Sequence, residues 1–215
     1  MEERDIKNKI LAGASELFMR YGIRSVSMDD VARHLSVSKK TLYQYFADKD
    51  EIVTMVAAFM MEHNQKEYES LHVSSRNAIE ELVKISFCMK KDFQKMNPTY
   101  LFDLKKHHAK AWSLWLTHKQ KNIRESIIRN LKQGMEEGFY RPEINHNVLA
   151  ISRLELIQIT FDDQIFPATE YNLVEVNIQL FDHFVYGILT EKGRKVYEKY
   201  KQQQVSSPDL ISQAI

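Results

Sequence analysis

The sequence predicts an all-α protein, and three observations carry that expectation. Apolar residues recur at helical spacing along nearly the whole chain. Glycine and proline are scarce, 6 and 4 among 215 residues, which disfavours a turn-rich β fold. Side chains that cap helices stand just ahead of many of the periodic stretches. The spacing divides the chain into a small three-helix unit over residues 1–47, a larger helical domain over 48–206 and a flexible tail over 207–215.

The first helix is expected from about Arg4 to Tyr21, with Ile6, Ile10, Leu11, Ala14, Leu17 and Phe18 on one face and Gly22 as its stop. Ser27 can N-cap a brief second helix, with Asp30 at the capping-box position and Asp29 near the positive end of the dipole. Ser36-Val37 then breaks the pattern. Ser38 caps a third helix through Tyr45, whose Leu42, with Phe46 just beyond, faces inward. Asp48, with Glu51 three residues on, opens a long rod that reads helical to about Ser70.

Two short helices joined by a tight turn form a helix-turn-helix, whose second helix presents its N-terminal residues to the DNA major groove. Its outward side chains suit phosphates and base edges. An αα-hairpin with a charged outer face has the same periodicity, so the spacing leaves both open. The stretch LFMRYGIRSVSMDDVARHLSVSKKTLYQYFADKDEIV, Leu17 to Val53, closely resembles the DNA-binding region of the tetracycline-repressor (TetR) family. That resemblance implies a helix-turn-helix head on a larger ligand-binding and dimerisation domain. It implies phosphate contacts by Thr41, Tyr43 and Lys49 and groove contacts by Ser38, Lys39, Lys40 and Gln44, with Ser27 included among the DNA-binding residues. The chain departs from the family pattern at Ser36, where Gly is usual, at Lys40, where a small residue is common, and at Tyr45, where His is frequent. If the turn requires positive φ, Ser36 costs about 1 kcal/mol relative to Gly.

Beyond the rod, Ser74 or Ser75 can cap a helix reaching about Met96, and Asn97-Pro98 ends it. A short aromatic element follows from Tyr100. One long helix is expected over Lys110 to Glu137, closed by Gly138. Asn145 caps the next, which reads to about Phe166 before Pro167. The last long helix, about Glu170 to Thr190, carries two apolar stripes, Val174, Ile178, Phe181, Val185 and Ile188 beside Leu173, Val176, Leu180 and Phe184. From Lys192 the composition predicts a frayed basic helix running into the tail. A helix apolar over so much of its circumference needs cover on two sides, and a second copy of the chain supplies it most simply. The expected C2 interface comprises Leu149, Leu156, Ile159, Val174, Ile178, Phe181, Val185 and Ile188, although a monomer with a thick core also fits.

The middle helices concentrate aromatic residues. By the resemblance this region holds an effector pocket, with Phe87, Tyr100, Phe102, Trp112, Trp115 and Phe161 as candidates for an apolar or aromatic small molecule; ordinary core packing uses the same residue types.

The formal net charge of +1 gives no general affinity for nucleic acid, so basic residues count only locally: Lys39, Lys40 and Lys49 stand against Asp48 alone between Ser36 and Lys49. A single cysteine, Cys88, excludes an intrachain disulfide framework. The charged N-terminus lacks the apolar core of an export signal, and the apolar run Ile52 to Met61 falls short of the roughly 20 residues of a membrane span. The expected location is the cytoplasm, with no membrane contact. Adjacent His107 and His108 point about 100° apart on a helix, and neither they nor His118 have metal-ligand spacing. No phosphate loop, nucleophile elbow or Cys/His pair is present. The expected protein is therefore a dimeric DNA-binding regulator, most simply a repressor released from a palindromic double-stranded operator by a small molecule. It needs no catalytic residue, metal or cofactor. The alternative is a helical ligand carrier or enzyme whose N-terminal hairpin merely packs on the bundle.

Overall fold

The computed structural model describes residues 3–206, and the expected tail at 207–215 lies outside them. Eleven α-helices follow in order among the described residues: α1 Glu3–Tyr21, α2 Met28–His34, α3 Lys39–Tyr45, α4 Lys49–Val73, α5 Ala78–Lys95, α6 Tyr100–His107, α7 Ala109–His118, α8 Arg124–Glu136, α9 His146–Ile159, α10 Leu173–Ile188 and α11 Glu191–Ser206. The all-α expectation holds.

The caps read from the sequence in the head are in place. Ser27 and Asp30 form a reciprocal capping box, the Ser38 hydroxyl accepts from the Thr41 amide, and the Asp48 carboxylate accepts from the Glu51 amide. Gly22 stops α1 at φ +80°, a left-handed conformation in which a Cβ is unfavourable. The turn between α2 and α3 is closed by Val37 N–H donating to Ala32 O at 3.0 Å, the long bond of a Schellman motif. Its left-handed residue is Ser36, at φ 55°.

Two apolar clusters form the core. The first gathers α1, α2 and α3 with Ile52, Val53, Val56 and Ala57 of α4, and continues without a break into Tyr100, Leu101 and Leu104 of α6 and Ala111 of α7. The second joins α5, α8, α10 and α11 around Ile79, Leu131, Tyr140, Phe181, Val185 and Tyr197. Within it the Tyr140 ring lies so close to α8 that a Cβ on Gly134 would sit 2.1 Å from the ring, so this helix requires glycine there.

Several elements differ from the sequence reading, each for a local reason. The long helix expected over Lys110–Glu137 contains a π-helical turn, Lys119–Ile123, that divides α7 from α8. Lys119 there is buried and donates to Glu155 at 2.9 Å and to Gln158 of α9. The Ser74 and Ser75 hydroxyls donate back to Leu71 O, so Asn77 caps α5 in their place. α9 stops at Ile159, not Phe166, because the Thr160 hydroxyl bonds back to Leu156 O and the Asp162 and Asp163 carboxylates accept the Gln164 and Ala168 amides in turns. α10 then starts late, capped by Asn172. α11 is not frayed: Tyr197 is fully buried and donates to Asp182 at 2.8 Å, Lys201 pairs with the same carboxylate at 2.7 Å, and Asn77 donates to the Tyr200 hydroxyl at 3.1 Å.

Because Ser36 occupies a backbone region that favours glycine, Ser36→Gly should raise the unfolding free energy by about 1 kcal/mol. A higher urea midpoint at unchanged slope is the expected reading; an unchanged or lower midpoint would show that the turn does not strain Ser36.

Candidate functional site

α3 stands out from the head with its polar face open. Ser38, Lys39, Lys40, Tyr43 and Gln44 are exposed, while Leu42 is fully buried beneath them and Thr41 is half-buried. Leu42 and the following Phe46 anchor the helix, so the outward side chains are fixed in register. Some of the expected contacts are already engaged within the chain. Lys39 forms an ion pair with Asp29 at 2.5 Å, the Ser38 and Thr41 hydroxyls share a hydrogen bond at 2.7 Å, and the Ser27 hydroxyl lies 2.6 Å from the Asp30 carboxylate. Ser27 and its backbone amide hold the Asp30 carboxyl below the usual carboxylate range.

Lys49 has a different setting. It is half-buried at the start of α4 and reaches Arg24 O at 3.5 Å; burial lowers its pKa, against the opposing pull of Asp103 and Asp30. It lies in the joint between head and body. There Asn97 N–H donates to Met19 O, Arg24 N–H donates to the buried Asp103 carboxylate at 3.2 Å, and His108 Nδ1 lies 2.9 Å from Asp50 Oδ1. α6 thus holds the loop after α1 and the first turn of α4 at once.

The body holds a cavity of about 220 Å³ between α4, α5, α6, α7, α8, α9 and α10. Of the six aromatic candidates, Tyr100, Trp115 and Phe161 line it. The other three lie elsewhere. Phe87 packs on the second apolar cluster, Trp112 packs on the first, and Phe102 is exposed beneath the Lys106 ammonium. Neighbouring positions on a helix diverge, so a cluster in sequence does not converge in space. The cavity also shares Phe93, Met96 and Phe161 with a second cleft of about 350 Å³ bordered by residues 160–176.

The polar lining was not anticipated. Glu81, Asn130 and Arg153 are buried on its wall, with Tyr68, Asp92, His118 and Arg129 beside them. Asn130 donates to Glu81 at 2.8 Å and to Ala78 O, and accepts from the Tyr140 hydroxyl. Glu81 also meets His72 Nδ1 at 3.1 Å, and Arg129 grips Glu69 at 2.9 Å. Burial pushes Asp92 up to about 6, with Glu67 adding to the shift, raises the Cys88 thiol to about 12, and lowers His118. Arg153 was legible: it falls three residues after Ala150 and four before Ile157, on the buried stripe of α9. Among the described residues no cluster of three or more His, Cys, Asp or Glu could hold a metal ion, and no helix is long and apolar enough to cross a membrane.

The expected dimer residues divide. Phe181, Val185 and Ile188 are buried inside the chain's own second cluster, so that stripe of α10 faces inward and is no outer surface. Residues of α5, α8 and α11 complete that cluster. Leu149, Leu156, Ile159, Val174 and Ile178 are half-buried. The more exposed apolar side chains nearby are Val148 and Ile151 on α9, Tyr171 before α10 and Tyr186 on it.

A polar recognition helix behind a tight turn, on a three-helix head joined to a helical body, defines a helix-turn-helix fold. Residues 10–56 match the family model described as bacterial regulatory proteins, tetR family. The HTH-type transcriptional regulator YvaF of Bacillus subtilis is 33% identical over 105 residues, 48% of this chain and 55% of that protein; the match therefore spans about half of that relative's length. The HTH-type transcriptional repressor KstR2 of Mycobacterium tuberculosis is 22% identical over 65% of this chain and 71% of its own length. In fold, a TetR-family transcriptional regulator from Agrobacterium tumefaciens superposes with a TM-score of 0.69 at 12% identity, covering 88% of this chain and all of that one. The head thus carries the TetR-family match, and the whole chain shares its fold with solved TetR-family regulators.

Asp92 makes the stability of the body pH-dependent. Its carboxyl holds its proton to about pH 6 when folded, against an ordinary value of 3.8, so the folded state binds more protons between those limits. Its contribution to stability should fall as pH rises through that window and stay low above it. Asp92→Asn should therefore stabilise by about 1–2 kcal/mol at pH 8, discounted for partial exposure, and by little near pH 4. Urea denaturation at the two pH values checks this; equal effects at both would place the carboxyl in an ordinary environment.

Proposed function

We propose that the protein is a homodimeric DNA-binding transcriptional regulator, a repressor released from a palindromic operator by a small molecule, acting in the cytoplasm. The observation that carries this reading is the exposed face of α3, where Lys39, Lys40, Tyr43 and Gln44 stand clear of a head whose sequence matches the family model. Lys39 would exchange Asp29 for phosphate, and Lys40 is placed to do the same without giving up a partner. Ser38, Lys39, Lys40 and Gln44 would face the groove, with Thr41, Tyr43 and the start of α4 at Lys49 along the backbone. Ser27 would act by fixing α2 behind them.

The division into a DNA-binding head over 1–47 and an effector-binding and dimerising body over 48–206 belongs to the same proposal. The partner copy would cover Val148, Ile151 and the neighbouring half-buried Leu149, Leu156 and Ile159, with the outer edge of α10 at Val174, Ile178 and Tyr186. Two heads would then meet half-sites about 34 Å apart or somewhat more.

The effector would act through the joint. Its cavity borders α4 at Met60, Met61 and Tyr68, and α6 at Tyr100, Leu101 and Leu104, whose neighbours Asp103 and His108 hold the head. A ligand that fits the cavity better when α4 and α6 are shifted would favour the head spacing that misses the operator. It must bind that state more tightly, or the equilibrium does not move.

Footprinting on the DNA around the protein's own gene should show a protected, roughly two-fold symmetric segment. Replacing both lysines, Lys39→Ala with Lys40→Ala, should weaken binding and reduce the slope of log affinity against log salt by about two. An unchanged slope would remove those lysines from the interface, and absence of protection on every fragment would remove DNA binding from the account.

A further inference from the structure

The cavity holds a buried cation, Arg153, that has the Tyr68 phenol nearby but no carboxylate among the described residues paired with it. Arg153 is 3% exposed, its guanidinium 4.9 Å from the Phe181 ring and 5.8 Å from that of Phe184. Nη2 reaches only the Met89 sulfur at 3.9 Å, and Nη1 has no hydrogen-bond partner. The cations around it are settled differently. Lys119 is paired with Glu155, and Arg129 with Glu69 and Glu81. Burial lowers Arg153 to about 10, which leaves it charged at neutral pH. The aromatic faces take up part of that charge, but they cannot accept the in-plane N–H of Nη1. A buried guanidinium with a free donor, on the wall of a mostly apolar space, is suited to an anion.

We infer that the effector is an amphipathic anion, a single carboxylate on a short apolar or aromatic body, with the carboxylate on Arg153 and the body in the cavity. The space sets the size. At about 220 Å³ it exceeds the roughly 150 Å³ that admits benzene, which suits a body of roughly eight to twelve non-hydrogen atoms. The fully buried carboxylate on the wall offers little to a cationic ligand: Glu81 is already held by Asn130, His72 and Arg129. The regulatory consequence of this site rests on the proposed function; ligand binding does not.

The test uses the full chain without DNA and three probes with the same eight-carbon chain: octanoate, 1-octanol and octyltrimethylammonium. Calorimetry and thermal shift should find octanoate bound about tenfold or more tighter than 1-octanol, as a charge-assisted contact requires. Arg153→Met, which keeps the volume apolar, should abolish that preference and leave 1-octanol within about threefold. Arg153→Lys keeps the charge and should keep part of the preference, which covers the case in which the methionine variant fails to fold. Equal affinity for octanoate and 1-octanol, tighter binding of the ammonium probe, no octanoate binding up to its solubility, or a preference that survives Arg153→Met would each overturn the inference. Octanoate bound through Arg153 without any change in operator occupancy would uphold the site and overturn the regulatory reading instead.

Discussion

The structure depends on one continuous apolar seam along the first half of α4. Ile52, Val53, Val56 and Ala57 are almost wholly buried, with the head's Phe18, Leu42 and Phe46 in the same cluster as the body's Tyr100, Leu104 and Ala111. A three-helix head of this size buries too little surface by itself for much stability. Here it is completed by helices that belong to the body, so its orientation is a property of the whole chain. The polar contacts of Asp103 with the Arg24 amide and of Asp50 with His108 lie at the margin of that seam. They add direction to a contact that hydrophobic burial alone would leave free to slide.

The second cluster has another character. Its wall toward the cavity carries Glu81, Asn130 and Arg153 at depths where an apolar residue would cost less. Glu81 and Asn130 are satisfied by each other, by Tyr140 and by backbone, and they fix how α5 meets α8. Arg153 is not satisfied, and that difference makes it a binding group rather than a structural one. The π-helical turn at Lys119–Ile123 lies on the same wall, with His118 and Ile123 facing the cavity and Lys119 tied to α9. A local irregularity there lets one helix serve both the cavity and its neighbour.

The head was legible because short-range chemistry decides it. Caps at Ser27, Ser38 and Asp48, and inward Leu42 and Phe46, act within a few residues of each other, and the structure places each as the spacing requires. The body was legible in element type and much less so in register. Phe181, Val185 and Ile188 read as an outer stripe because α10 is apolar over most of its surface, and nothing within that helix says that α11 comes back to cover it. The composition of α11, rich in lysine and glutamine, hid the buried Tyr197. The aromatic candidates for the cavity were spread over the middle helices and did not share a face, whereas Arg153 was a charged residue at a buried position on α9.

The most direct measurement of the central claim is native-state hydrogen exchange of the α2 and α3 amides in a Leu104→Ala variant. Leu104 lies in the body, and truncating it should cost about 2–5 kcal/mol. If head and body share one core, protection of the head amides should fall by a comparable amount, in step with those of α4 and α6. Head amides that exchange as they do in the unaltered chain, while α6 is destabilised, would show that the two are separate folding units and would contradict the account.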